Sequence, residues 1–168
     1  MTLHELNSLP PQRLKDELMR CCGSSLWVNK MLPFFPADDL VELLEDAEEQ
    51  WYNCSEDDWK EAFAHHPKIG DVDSLQKKFA TTAVWASGEQ RGVGAASTAT
   101  IEELAKYNVN YEKKFGYIFI VCATGKSAEE MLQLLKERLQ HDPASEIEIA
   151  ADEQNKITKL RLEKLVDD

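Results

Sequence analysis

Two adjacent imidazoles, His65 and His66, stand directly before Pro67 in the stretch HHPKIGD (65–71), and histidine is the side chain best suited to moving a proton near neutral pH. Proline disfavours α backbone in the residue that precedes it, so a helix arriving at His66 must end there and the ring leaves the helical stack on a stiff turn. That is good positioning for a general acid or base. The same pattern also fits a plain helix end with both rings capping the dipole, and His65, which has no proline directly after it, is read that way. A second candidate is SGEQ (87–90), in a glycine-containing break. There Glu89 and Gln90 offer a carboxylate and an amide, a pair matched to urea-like N–H and C=O groups, although surface Glu-Gln pairs are abundant without any function. The third is Arg161, which shares a helical stripe with Ile147, Ala150, Ala151, Gln154, Ile157, Thr158 and Leu165. A guanidinium on a packed stripe needs an anion: either an acidic neighbour satisfies it, or it faces a cleft and grips a carboxylate with both arms.

Other routes to chemistry find little support. His65, His66, His141 and Cys54 are potential metal ligands, yet no pair has the i, i+4 or C-x-x-C spacing of a convincing site, so no metal is expected. There is no G-x-G-x-x-G, no Walker loop and no G-x-S-x-G. The four tryptophans and the apolar stripes are most economically core.

These groups must be positioned by helices. Leu14, Leu18, Cys21 and Cys22 fall at helical spacing from Pro10 to Cys22, with two prolines at the start and Gly23 after the end. A short helix is expected from Ser25 to Met31, stopped by Pro33, and another from Pro36 with Leu40, Leu43, Leu44, Ala47 and Trp51 on one face. SEDDWKEAFAHH then opens with Ser55 as N-cap and Asp58 three residues on, which brings Trp59, Ala62 and Phe63 inward and puts the histidine pair at the helix's C-terminal end. Leu75, Phe79 and Ala83 continue the helical period before ASGEQRGVGAAS (86–97) interrupts it. Thr100 with Glu103 forms a capping box for a helix through Leu104, Tyr107, Tyr111 and Phe115, ending at Gly116. YIFIVCA (117–123) has no second strand to pair with and is read as buried helix or extended core. Ser127 to Gln140 and Ala144 to Val166 close the chain as two more helices. The fold class is therefore all-α, organised as one compact domain over 1–168.

The 168 residues carry 43% hydrophobic content, enough for one domain with a sizeable core. Nineteen basic against 31 acidic residues leave a net charge of -12, which repels phosphate backbones and anionic membranes; neither nucleic acid nor a membrane is expected as a partner. The longest apolar run is far short of the roughly 20 residues a spanning helix needs. Cys21, Cys22, Cys54 and Cys122 form no C-x-x-C, and no basic-then-apolar leader or targeting tripeptide is seen, so a cytoplasmic setting is expected.

Taken together, HHPKIGD, the downstream GEQ, YNVNYEKKFGYIFIVCA (107–123) and ITKLRLEKL (157–165) resemble the OHCU decarboxylase family, in the family's order from about Leu9 to Leu165. Those enzymes act on 2-oxo-4-hydroxy-4-carboxy-5-ureidoimidazoline (OHCU) in urate breakdown. The resemblance implies an all-helical, cofactor-free and usually homodimeric lyase that releases CO2 and sets the stereochemistry of (S)-allantoin. By motif, His66 becomes the catalytic acid/base and Glu89 its carboxylate partner. Pro67 and Ala86, Ser87, Gly88, Glu89 and Gln90 line the substrate pocket, Arg161 grips the substrate, and backbone groups of Ile118, Phe119, Ile120, Val121 and Cys122 add polar contacts. One departure stands out: the family's S-x-x-E-Q has its serine where this chain has Ala86, so Ser87 either substitutes after a small shift or leaves one hydrogen bond unmade. The alternatives are an acidic helical interaction module that docks a basic partner, and a hydrolase of the same ureide pathway.

Overall fold

The computed structural model describes residues 1–67 and 98–167. Among them are eight α-helices, one short 3₁₀ turn and no strand, the all-α class expected from the helical spacing of the apolar residues. They belong to two compact units, residues 1–66 with 147–168, and residues 67–146.

The first unit begins with α1 (Leu3–Asn7), α2 (Pro11–Cys21) and α3 (Ser25–Met31), followed by the 3₁₀ turn Leu32–Phe34, α4 (Leu40–Tyr52) and α5 (Glu56–Ala64). Local chemistry starts each one. Thr2 and Glu5 close a capping box on α1, Pro11 occupies the first helical position of α2, and the Ser24, Asp39 and Ser55 side chains accept from backbone N–H groups three residues on. The helix expected from Pro36 starts instead at Leu40, because Asp39 is the residue that caps it.

Tryptophans fasten the helices of this unit together. The Trp27 indole N–H donates to the Ala47 carbonyl at 3.0 Å, tying α3 to α4. Trp51 donates to Ala151 at 2.9 Å, tying α4 to the last helix, α8 (Pro143–Leu165), whose residues from Ile147 onward belong to this unit. Both indoles are buried, and at ~25 cal/mol per Å2 the roughly 150–250 Å2 each removes from water contributes about 4–6 kcal/mol before entropy is subtracted. Glu61 of α5 accepts from the Ser25 N–H at 2.8 Å and from its hydroxyl at 2.7 Å, which anchors the end of α5 beside the α2–α3 junction.

The second unit contains α6 (Thr98–Phe115), α7 (Ala128–Arg138) and the first turn of α8. Thr100 lies inside helix α6 and is not its cap. Gly116 takes φ 84°, a backbone that L side chains rarely adopt, and ends the helix as the sequence implies. Residues 117–123 form neither helix nor strand, so of the two readings of that apolar stretch the helical one falls. What holds them is a buried charge cluster. Arg138 and the fully buried Glu146 pair at 2.6 Å, the Arg138 Nη1–H donates to the Ile120 carbonyl at 2.5 Å, and the Tyr111 hydroxyl donates to the same carboxylate. His141 Nδ1 sits 3.1 Å from the other Glu146 oxygen. The Arg138 guanidinium also lies over the Phe119 ring, 4.5 Å from its centroid.

Candidate functional site

Helix α5 delivers the two histidines. The Ser55–Asp58 capping box and three acids in its first turn fix where it starts. At the other end His65 is the C-cap, and the His65 and His66 N–H groups donate to Ala62 and Phe63 carbonyls at 3.2 Å each. Pro67 follows, so the His66 ring turns off the helix as its proline neighbour requires. The path is closely confined. A Cβ placed on Gly23 would lie 2.4 Å from both Cβ and Cγ of His65, so only glycine at the α2–α3 junction leaves room for the turn.

His65, His66 and Arg161 border one cavity of about 320 Å3 within the first unit, with Met19, Arg20, Gly23 and Ala62. Two of the three candidate side chains singled out in the sequence, His66 and Arg161, are thereby brought together although one follows the end of α5 and the other stands on α8. The third, Glu89, lies outside the described residues, as do Ala86, Ser87, Gly88 and Gln90. Pro67 is exposed. Ile118, Phe119, Ile120, Val121 and Cys122 belong to the second unit, and two of their carbonyls are already engaged: Ile120 by Arg138, and Cys122 by the Lys126 ammonium at 2.7 Å.

Electrostatics suit the cavity to proton transfer beside an anion. Burial pushes the His66 pKa below its ordinary value; the hydrogen bond to Gln154 opposes this, while the charges of Arg161 and His65 reinforce it. The ring is therefore neutral at pH 7, the state a base requires. Arg161 Nη1 reaches the Arg20 and Cys21 carbonyls only at 3.4 Å, long contacts with the negative end of α2, and among the described residues no carboxylate pairs with it. Its side chain borders the cavity. Cys21 and Cys22 are raised by burial to about 12, so both thiols stay protonated and neither is a nucleophile. Among the described residues no group of three or more His, Cys, Asp or Glu side chains is arranged to hold a metal ion, and no helix is long and apolar enough to cross a membrane.

Comparison with known proteins decides the family. The model for OHCU decarboxylase matches residues 7–163. The chain belongs to the OHCU decarboxylase family. It is 43% identical over 157 residues to the uric acid degradation bifunctional protein TTL of Arabidopsis thaliana, covering 92% of this chain and 48% of that protein. It is 31% identical over 101 residues to the 2-oxo-4-hydroxy-4-carboxy-5-ureidoimidazoline decarboxylase of Amia calva, covering 60% of this chain and 57% of the relative. The chain thus spans about half the length of these two curated relatives. A crystal structure of OHCU decarboxylase in the presence of (S)-allantoin superposes with a TM-score of 0.74 at 42% identity, covering 91% of this chain and 99% of that one.

Within this family frame the sequence reading missed Gln154. Its Oε1 lies 2.5 Å from His66 Nε2, and its Nε2–H donates to the Thr158 hydroxyl at 3.0 Å. The available signal was two polar residues, i and i+4, on an otherwise apolar stripe. Gly23 was legible only as a helix stop, because its closeness to His65 is a tertiary fact.

Proposed function

We propose that this chain decarboxylates OHCU to (S)-allantoin and CO2 in urate catabolism. The observation that carries the reading is a neutral imidazole and a guanidinium with no carboxylate partner among the described residues, bordering one cavity of ligand size. A substrate carrying a carboxylate, a hydroxyl and a ureido group is complementary to that pair. Family membership and the likeness to a decarboxylase crystallised with (S)-allantoin support the same substrate class.

Loss of CO2 leaves an electron pair on a carbon next to the ring C=N, so the conjugated ring takes up the charge and no cofactor is demanded. His66 takes the proton of the substrate hydroxyl and relays it to carbon, a contribution of about 10² to 10⁴ in rate. Arg161 holds substrate oxygens in a planar fork. Glu89 hydrogen-bonds the ureido group and pairs with the imidazolium once the ring has taken the substrate proton, and Gln90 holds the ring. Pro67, Ala86, Ser87 and Gly88 shape the pocket, and free backbone groups between Ile118 and Cys122 add polar contacts. The working form is a cytoplasmic homodimer, as the family resemblance implies.

The deciding experiment adds freshly generated OHCU to the protein and follows the optical activity of the allantoin formed. Wild-type protein should give the (S) enantiomer in excess over the spontaneous reaction. His66→Asn should nearly abolish turnover while keeping the native circular-dichroism spectrum. No stereochemical excess from wild type, as expected of an acidic interaction module, overturns the activity; consumption of allantoin marks a hydrolase instead; and near-normal CO2 release by His66→Asn removes the role given to the imidazole.

A further inference from the structure

His66 has two ring nitrogens, and only one can carry the proton in the neutral ring. Which one is set by what stands behind the cavity wall. Gln154 and Thr158 lie one turn apart on α8, and both are buried. A buried amide must place its oxygen against a donor and its N–H groups against acceptors. The Gln154 amide meets Thr158 on one side and His66 Nε2 on the other. The amide N–H donates to the Thr158 hydroxyl oxygen, which turns the amide oxygen to the imidazole.

We propose that Gln154 is a positioning residue that holds His66 as the Nε2–H tautomer through the chain Thr158–Gln154–His66, leaving Nδ1 as the basic nitrogen. The proposal rests on the reading of His66 as the acid/base group. It adds the nitrogen that accepts the proton and the buried residues that choose it. Among the described residues no group bonds Nδ1. Among the described residues the charged or titratable groups that act on the ring are Arg161 on α8 and His65 on α5, both of which disfavour the imidazolium.

The test is 15N spectroscopy of histidine-labelled protein, with His66→Asn used to assign the His66 ring. At pH 8 the native ring should show a protonated Nε2 and an unprotonated Nδ1. Gln154→Leu should lose that tautomer preference and lower kcat by about 10- to 100-fold, the range over which outer hydrogen-bond partners of an imidazole act, with KM little changed. Gln154→Glu keeps an acceptor at Nε2, so it should recover much of the Leu loss. It should also move the acid limb of the kcat/KM profile to higher pH, because a carboxylate favours the imidazolium. A purely structural Gln154 would move neither tautomer nor profile. A Nδ1–H ring in the native protein overturns the proposal, as does a Leu variant with native kcat and native tautomer. If Gln154→Leu fails to fold, Thr158→Val, which frees the amide to turn over, reads the same point by giving a mixed tautomer; a pure Nε2–H ring in that variant removes Thr158 from the chain. The native spectrum is recorded without substrate, so absence of decarboxylation would refute the activity and leave the tautomer assignment standing on its own result.

Discussion

Replacing Gly23 with alanine tests whether the position of the histidine turn is a matter of packing. The new Cβ would lie 2.4 Å from His65 Cβ and Cγ and 2.9 Å from Cδ2. Opening 2.4 Å to the roughly 3.5 Å of an ordinary carbon contact needs a displacement of ~1.1 Å. His65 Cβ is bonded directly to the backbone, so no rotamer change removes the clash and the turn itself must shift. Overpacking of this kind costs about 1–3 kcal/mol. Had there been room, Gly→Ala at a position whose φ is outside the left-handed region would stabilise the fold by about 0.4–1 kcal/mol through the unfolded chain, so the sign of the change is diagnostic. A shift near 1 Å in the residue beside His66 should lower kcat/KM by about 10²-fold. Urea denaturation and the stereospecific decarboxylation assay measure the two quantities. Adding His65→Gly removes every clashing atom, so the double variant should be more stable than Gly23→Ala alone, despite the ~1 kcal/mol that glycine costs in a helical turn. A Gly23→Ala protein with unchanged or raised stability and full activity would refute the reasoning.

Arg161→Lys keeps the charge and loses the fork; it should lower kcat/KM tenfold or more, roughly the 1.5–3 kcal/mol of a charged hydrogen bond, with stability within about 0.5 kcal/mol of native, since its protein contacts are long. Native kinetics in that variant would remove Arg161 from substrate binding. Because the pKa of His66 is lowered in the fold, the acid limb of kcat/KM should lie below pH 6.5. The unfolded chain takes up the proton first as pH falls. His66 therefore adds stability above pH 6.5 that is lost toward its folded pKa, and denaturation of His66→Asn should show a shallower dependence on pH across that window. Glu146→Gln leaves the Arg138 charge buried without its partner and should cost about 3–5 kcal/mol in urea denaturation; a loss under 1 kcal/mol would show that the cluster does not hold the 117–123 segment.

Much of the architecture was readable one residue at a time. Pro11, Ser55 with Asp58, Ser127 and Gly116 mark helix ends through capping and backbone chemistry that act within four residues, and each ends or starts a helix as its type implies. Thr100 was misread as a cap because Thr100 and Glu103 satisfy a capping pattern equally well inside a helix. The irregular course of 117–123 could not be chosen from periodicity, since its Ile120 carbonyl is engaged by Arg138 on another element. For the site, the sequence alone determined the residue types and the proline that ends α5 at His66, because those effects are local and covalent. Only the tertiary structure decided that Arg161 shares a cavity with that ring, that Gln154 rather than solvent meets its Nε2, and that Gly23 alone fits beneath His65. Those outcomes depend on which helix faces pack together, and burial then sets both the protonation state of His66 and the hydrogen bonds that orient it.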